Sequence, residues 1–184
     1  IQGSYNVIKT LPTIPGFEAS GNVIDAGINA KDLIGRNVSC FVQTDRCGTW
    51  SEFVVAHKSD VIALKDDMDM DQAACFTVNP FTAYGMFKIA LRRDSKAVIQ
   101  NAAGGQVAAF IRMMAAENNI QVVNIVRKKE SAERLIKGGS KYVLVESDEN
   151  FKDQLNNLVR KLNATVAFDA VGGSLSGMMF NVLP

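Results

Sequence analysis

A run of small residues between two apolar stretches is the first feature that could do chemistry. The segment VIQNAAGGQVAAF, residues 98–110, contains two glycines and four alanines. Its centre, Ala103 to Ala108, reads A-x-G-x-x-A, a degraded form of the G-x-G-x-x-G/A pattern that lets a nucleotide pyrophosphate approach backbone N–H groups. Small residues also suit a tight turn packed against a helix. From these residues alone, the two interpretations are evenly balanced.

Three consecutive cations follow the next apolar stretch. Arg127, Lys128 and Lys129 come directly after QVVNIV, residues 121–126, where an NAD-binding domain normally has an Asp or Glu for the ribose hydroxyls. A guanidinium instead binds a 2′-phosphate through charge-assisted hydrogen bonds. Cations at a helix start oppose the helix dipole unless an anion offsets them. The cluster therefore favours NADPH, with a solvated basic helix start as the alternative.

Apolar strands and amphipathic helices alternate from about residue 71 onward. We predict strands at Ala97–Gln100, Gln121–Val126, Tyr142–Val145 and Thr165–Asp169, and helices at Asp71–Thr77, Pro80–Leu91, Gln106–Glu117, Ser131–Lys137 and Phe151–Leu162. This alternation predicts an α/β fold with a parallel sheet covered on both faces. The small-residue turn lies between its first strand and the helix that follows.

Residues 18–64 have a different sequence pattern, in which glycines separate short predicted strands. The predicted strands are Gly21–Ala26, Asn37–Val42, Thr49–Val55 and Val61–Leu64. The pattern changes from short strands to alternating helices and strands within KDDMDM, residues 65–70. We therefore predict two domains, residues 1–70 and 71–184.

Composition excludes several classes of protein. The chain has 184 residues, 47% of them hydrophobic, and a net charge of +1, so we expect no nucleic-acid partner. No apolar run reaches the roughly 18 residues of a membrane span, so we expect no membrane partner. The three cysteines are odd in number and lack CxxC spacing, which argues against a disulfide framework and suits a reducing compartment.

Several stretches, taken in order, resemble one enzyme family. They are IQGSY (1–5), PGFEASGNVIDAG (15–27), VNPFTAYGMF (78–87), VIQNAAGGQVAAF (98–110), NIVR (124–127) and FDAVGG (168–173). They resemble the zinc-independent branch of the medium-chain dehydrogenases/reductases, which holds quinone oxidoreductases and 2-enoyl thioester reductases. The resemblance implies part of a GroES-like β domain followed by part of a Rossmann-type, doubly wound, NADPH-binding domain. Because such proteins extend further at both ends, we expect a fragment.

The resemblance also implies a set of site residues. In enoyl thioester reductases a tyrosine in an IQGxY stretch donates a proton or hydrogen bond to the enolate, and Tyr5 occupies that place; support of an irregular loop is the alternative. Asn79 matches an asparagine beside the cofactor, with an ordinary helix start at the Asn79-Pro80 step as the equal alternative. The turn over the pyrophosphate corresponds to Gly104, Gly105, Gln106 and Val107, and the 2′-phosphate site to Arg127, Lys128 and Lys129.

The sequence offers poor ligands for a metal. Zinc-dependent relatives have a ligand His in a G-H-E stretch, whereas this chain has Gly16-Phe17-Glu18, and phenylalanine cannot bind zinc. Three scattered cysteines do not provide a four-cysteine structural site. The only histidine, His57, lies in a polar stretch. We therefore expect no metal.

Together these features predict a reductase that transfers hydride from NADPH to a conjugated carbonyl without a metal. An enoyl thioester is the first expected substrate, and a quinone or enone is the alternative. A non-catalytic nucleotide-binding or sensor protein is a further alternative, because the glycine pattern is weakened. The expected partners are a small-molecule substrate and, at full length, a second copy in a homodimer. The expected location is the cytoplasm, or the mitochondrial matrix in a eukaryote.

Overall fold

The chain consists of two compact units, Ile1–Asn79 and Pro80–Pro184, whereas the sequence placed the boundary near residue 70. The computed structural model describes residues 11–43 and 48–184. Within those ranges, no helix has the length and apolar character needed to cross a membrane.

A small antiparallel sheet forms the first unit. Its strands are β1 (Glu18–Asn22), β2 (Asn37–Phe41) and β3 (Val61–Ala63), in the order β1-β2-β3. The central strand, β2, buries three consecutive residues. β2 and β3 each end one residue before the predicted end, and helix α1 (Met70–Ala73) follows.

β1 ends earlier than expected, and the strand predicted over Gly21–Ala26 is wrong beyond Asn22. β1 pairs with β2 as far as Asn22, which faces Asn37, the first residue of β2. Val23 continues the pairing for one more residue, because its amide donates to the Arg36 carbonyl at 3.0 Å and its carbonyl accepts from the Gly35 amide at 2.8 Å. Among the described residues, the backbone of residues 24–26 has no hydrogen bond to a neighbouring strand.

No strand forms over Thr49–Val55, so that prediction is wrong as well. The Trp50 amide donates to the Pro15 carbonyl at 2.9 Å, which is a contact between loops. Phe53 and Val55 are 71% and 86% exposed. The apolar alternation that suggested a strand therefore does not bury a face.

Helix α1 is shorter than the helix predicted over Asp71–Thr77, and it begins one residue earlier, with Asp69 as its N-cap. The Asp69 carboxylate accepts from the Gln72 amide at 2.9 Å, which satisfies a donor that a helix start leaves free. The Ser39 hydroxyl donates to the Ala73 carbonyl at 2.7 Å. This bond attaches the last residue of α1 to the centre of the sheet.

The second unit alternates helices and strands. Following α2 (Asn79–Arg92), the elements are β4 (Ala97–Gln100), α3 (Gln106–Glu117), β5 (Gln121–Val126), α4 (Lys129–Lys137), β6 (Tyr142–Val145), α5 (Phe151–Leu162), β7 (Val166–Phe168) and α6 (Gly173–Val182). The four strands are parallel, in the order β6-β5-β4-β7. This is the 3-2-1-4 order of a Rossmann-type sheet. The predicted α/β fold with such a sheet is confirmed.

Five predicted elements in this unit, β4, α3, β5, β6 and α5, have the predicted bounds. Helix α4 begins at Lys129 rather than Ser131 because Lys128 is already its N-cap. Strand β7 is one residue shorter at each end than Thr165–Asp169. Helix α6 was not predicted, since its sequence GSLSGMMFNV lacks a regular polar face.

Apolar clusters cover both faces of the parallel sheet. On one face, Ile99 and Val123 pack with Leu155 of α5 and Met179 of α6. On the other, Val98 packs with buried residues of α2 and α3. All four residues of β4 are buried, as expected of a central strand covered by helices on both sides.

Replacing Leu155 with Ala should destabilise the protein strongly. Leu155 is 0% exposed within the cluster around β4 and β5, so truncation leaves a cavity that costs roughly 2–5 kcal/mol. Urea denaturation would measure this as a lower midpoint with an unchanged slope. Ile136→Ala, at a position 59% exposed, is the control and should change stability by about 0.5 kcal/mol or less. Equal effects of the two variants would contradict the assigned core.

Candidate cofactor site

Loops at the carboxyl edge of the parallel sheet enclose a cavity of about 370 Å³. Parallel strands place their carboxyl ends along one edge, which is where ligands of open α/β sheets bind. The lining residues come from the turn after β4, the ends of β5 and β6, the start of α4 and the loop and helix after β7. They are Ala102, Ala103, Gly104, Gly105, Ile125, Val126, Arg127, Lys128, Ser131, Glu146, Val171 and Leu175.

The turn after β4 is fixed by backbone hydrogen bonds. The amide of Ala103, which is fully buried, donates to the Ile125 carbonyl at 3.1 Å, and the Gly105 amide donates to the Ala102 carbonyl at 2.9 Å. Behind the turn, the Arg112 side chain donates to the Ala103 carbonyl at 2.6 Å. These contacts hold the turn against the end of β5.

Helix α3 starts at this turn with unused donors. Gly105 is its N-cap and contributes no side-chain cap, and its first turn carries no acidic residue. In the part of the chain that the structure describes, the amides of Gln106 and Val107 have no acceptor. A Cβ at Gly105 would lie 3.2 Å from the Ala102 carbonyl oxygen, so the position favours glycine. Free N–H groups at the positive end of a helix fit a phosphate group.

Two of the three predicted cations line the cavity. Arg127 and Lys128 are exposed and take part in no ion pair among the described residues. The ammonium of Lys129 instead lies 3.9 Å from a carboxylate oxygen of Asp148. Ser131 lines the same wall, and its hydroxyl accepts from Arg134 at 3.1 Å. The wall at the end of β5 is therefore positively charged.

A polar network fixes the loop after β7. The Asn101 side chain, 3% exposed, donates to the Asp169 carboxylate and accepts from the Ala170 amide at 2.7 Å. Asp169 also accepts from the Gly172 amide at 3.1 Å and from the Ser176 hydroxyl. The hydrogen bonds from Ser176 and Asn101 hold the pKa of the Asp169 carboxyl far below its usual range.

The first unit has a separate cavity of about 440 Å³ beside Phe17 and Glu18. The Glu18 carboxylate accepts from the Val78 amide at 2.5 Å and from the Thr77 hydroxyl at 2.8 Å. Glu18 thus joins β1 to the segment before α2. Among residues 11–43 and 48–184, no three or more His, Cys, Asp or Glu side chains are grouped so that they could hold a metal ion.

No protein-family model matches the chain, but individual proteins do. A mitochondrial enoyl-acyl-carrier-protein reductase of Caenorhabditis elegans is 36% identical over 141 residues, which cover 74% of this chain and 40% of that protein. A second C. elegans protein of that name is 30% identical over 191 residues, covering 100% of this chain and 54% of its own length. A Mesorhizobium loti structure that bears the name NADPH:quinone reductase superposes with a TM-score of 0.88 at 30% identity, over 94% of this chain and 51% of that one.

The chain belongs to the medium-chain dehydrogenase/reductase superfamily, in its quinone oxidoreductase and enoyl reductase branch. The predicted family is confirmed. The chain spans about half the length of the reductases that it matches, 40% and 54% of the two C. elegans proteins.

The structure places some of the predicted site residues at the cavity and others away from it. Gly104 and Gly105 line the cavity with Arg127 and Lys128, and Gln106 and Val107 begin the adjoining helix. Lys129 is the first residue of α4 and is not among the lining residues. Asn79 begins α2 and belongs to the first compact unit. Tyr5 lies outside the described residues, so its role and that of Asn79 remain predictions.

The predicted site residues did not include eight of the twelve described residues that line the cavity: Ala102, Ala103, Ile125, Val126, Ser131, Glu146, Val171 and Leu175. Sequence reasoning also assigned no role to Asn101 or Asp169. One signal was available, because Glu146 directly follows the predicted strand Tyr142–Val145 and so had to lie at the carboxyl edge of the sheet. The contacts of Asp169 with Asn101 depend on the pairing of β7 beside β4, which sequence alone does not fix.

Replacing Asp169 with Asn should flatten the acid limb of the stability profile. The Asp169 pKa is lowered in the folded state, so the unfolded chain binds this proton first as the pH falls. Its stabilisation is complete above the unfolded pKa, near 4, and is lost progressively below it. Urea denaturation at pH 6, 4 and 3 would measure this loss. Ser176→Ala, which removes one hydrogen bond, should give an intermediate profile; parallel profiles for all three proteins would contradict the network.

Proposed function

We propose that this chain forms the cofactor-binding part of an NADPH-dependent reductase that acts on a conjugated carbonyl compound. The observation that supports this most is the cavity that Arg127 and Lys128 line without an ion pair and that the start of α3, with the free amides of Gln106 and Val107, adjoins. The small-residue turn before α3 carries no charge, so by itself it would fit the pyrophosphate of NADH as well as that of NADPH. The two cations at the end of β5 add a preference for a 2′-phosphate, because they replace the carboxylate that binds ribose hydroxyls.

Each part of the cavity has a role in this proposal. The amides of Gln106 and Val107 bind the pyrophosphate, and Arg127 and Lys128 bind the 2′-phosphate by charge-assisted hydrogen bonds. The Asn101–Asp169 network keeps the loop after β7 in place at the same edge. When bound, NADPH supplies the hydride that reduces the substrate. We also propose that Lys129 and Asn79 contribute to cofactor binding, as the resemblance implies.

An enoyl thioester is the first candidate substrate, because the C. elegans relatives are named enoyl-acyl-carrier-protein reductases. Hydride addition to the β-carbon of such a substrate leaves an enolate, which needs a hydrogen-bond donor and then a proton. We propose Tyr5 for this role. Its phenol, with an ordinary pKa near 10, is protonated at neutral pH and can donate.

A quinone is the second candidate, favoured by the M. loti structure that bears the name NADPH:quinone reductase. Both reactions use the same cofactor, and in neither does the proposal include a metal. Phe17 occupies the place of the zinc-ligand histidine in the resemblance. Because the C. elegans relatives are named mitochondrial, we propose a mitochondrial location, in the matrix, if the cell is eukaryotic. We also propose a cytoplasmic location in a bacterium. As the resemblance implies, we propose a homodimer for the full-length protein.

Arg127→Ala should weaken NADPH binding far more than NADH binding. Loss of a charge-assisted contact to the 2′-phosphate costs roughly 1.5–3 kcal/mol, about 10- to 150-fold in Kd. Calorimetric titration of each cofactor into the purified protein measures both constants. Arg160→Ala, on helix α5 outside the cavity lining, is the matched control and should leave both unchanged. Equal losses of the two cofactors in Arg127→Ala would remove the 2′-phosphate assignment.

Tyr5→Phe should separate the two candidate substrates. The variant keeps the ring and removes only the hydroxyl, so NADPH affinity should be nearly unchanged. Turnover of a 2-enoyl thioester should fall by roughly 10²–10⁴, as expected for loss of a general acid or an oxyanion donor. Quinone reduction should suffer much less, since the reduced oxygens take protons from water.

Steady-state assays of both reactions in the full-length protein, with NADPH titration as the binding control, test this. Undiminished thioester turnover in Tyr5→Phe would make Tyr5 a structural residue and favour the quinone. NADPH binding with turnover of neither substrate would instead favour a non-catalytic nucleotide sensor.

A further inference from the structure

Glu146 is a half-buried carboxylate in the cavity at the carboxyl edge of the parallel sheet. It directly follows β6, and its amide donates to the Val126 carbonyl at 2.9 Å, so its backbone is fixed beside the end of β5. Within the described part of the chain, the carboxylate has neither an ion pair nor a hydrogen-bond partner. It therefore retains all of its capacity to accept hydrogen bonds.

A carboxylate is an unexpected group in a cavity that fits phosphates. An ionised Glu side chain only accepts hydrogen bonds, and it repels a phosphate dianion at short range. Its presence beside Arg127 and Lys128, without an ion pair to either, therefore indicates a ligand with a second, neutral part that donates a hydrogen bond.

The rest of the lining indicates the shape of that neutral part. Val126, Val171 and Leu175 are apolar residues of the same lining, and Val171 is 58% exposed, as suits contact with the face of a flat ring. Adenine is such a ring, and its only exocyclic N–H donor is its amine. The remaining free hydroxyl of the adenosine ribose adjoins the 2′-phosphate, where a carboxylate would meet the dianion.

We propose that Glu146 accepts a hydrogen bond from the exocyclic amine of adenine and selects an adenine dinucleotide. This inference rests on the proposed NADPH function and adds a specificity residue to it. The site then has three parts: the α3 amides that adjoin the cavity for the pyrophosphate, the cations for the 2′-phosphate, and the Glu146 carboxylate with apolar lining residues for the base.

The test compares NADPH with its deamino analogue, in which a hypoxanthine oxygen replaces the adenine amine. Calorimetric titration of the purified wild-type protein should show NADPH binding at least roughly tenfold tighter, since a hydrogen bond to a charged group is lost. Glu146→Ala should bring the two affinities within about twofold of each other. Glu146→Gln, whose amide can accept from the amine or donate to the oxygen, should bind both cofactors and also lose the preference.

Glu149→Ala, an exposed glutamate outside the lining, is the control and should keep the wild-type preference. Equal binding of the two cofactors by the wild-type protein would overturn the proposal. So would a Glu146→Ala variant that weakens both cofactors and keeps their ratio, because Glu146 would then act only on Arg127 or on the fold. Absence of NADPH binding by the wild-type protein would overturn the proposed function itself, an outcome distinct from binding without discrimination.

Discussion

The parallel pairing of β4 with β5 is the constraint on which the rest of the site depends. The amide of Ala103 donates to the Ile125 carbonyl just beyond the end of β4, so the small-residue turn is held against the neighbouring strand. Arg127 comes two residues after Ile125, directly after that strand ends, and the turn and two of the cations therefore share one cavity. Neither feature alone distinguishes a phosphate site from an ordinary turn or a solvated helix start. Their juxtaposition is what supports the phosphate site that we propose.

Buried polar groups reinforce this pairing close to the site. The Gln100 side chain, 1% exposed, donates to the Asn124 side chain at 2.7 Å and to the Ala108 carbonyl at 3.2 Å. Asn124 in turn donates to the Tyr142 carbonyl at 3.2 Å. These amides connect three adjacent strands and helix α3 from within the core. Burial of amides is costly unless they are hydrogen-bonded, so the network favours this strand register over shifted ones.

The sequence predicted the second unit much better than the first, for a physical reason. Strands such as Gln121–Val126 are continuous apolar runs between periodic helices, and local pattern alone defines their bounds. In the first unit, the segment Thr49–Val55 has the alternation of a strand but joins no sheet in the described part of the chain, and its first two amides donate to the carbonyls of Gly16 and Pro15 instead. Whether such a segment joins a sheet depends on tertiary contacts, which the local pattern does not show.

The candidate site likewise contains residues that the sequence identifies and residues that only the fold reveals. The glycines, Arg127 and Lys128 could be identified from motif and position, whereas Asp169 became visible only through the neighbours that the fold gives it. Glu146 lies between these two cases. The sequence shows that it follows a predicted strand, but not that its carboxylate has no ion pair or hydrogen-bond partner among the described residues. Short motifs identify the groups that we propose to contact phosphates, and the topology supplies the residues that we propose to support those groups or to bind the base.

Amide chemical-shift mapping by NMR with adenosine 2′,5′-bisphosphate measures whether this cavity binds an adenine nucleotide. This probe carries the base, the ribose and the 2′-phosphate without the nicotinamide, so it reports on the cavity independently of any reaction. We expect the largest shifts on Gly104 to Val107, Arg127, Lys128 and Glu146, and weaker, partial changes with 5′-AMP. Saturable shifts confined to other parts of the chain, or no shifts at millimolar probe, would contradict binding in this cavity.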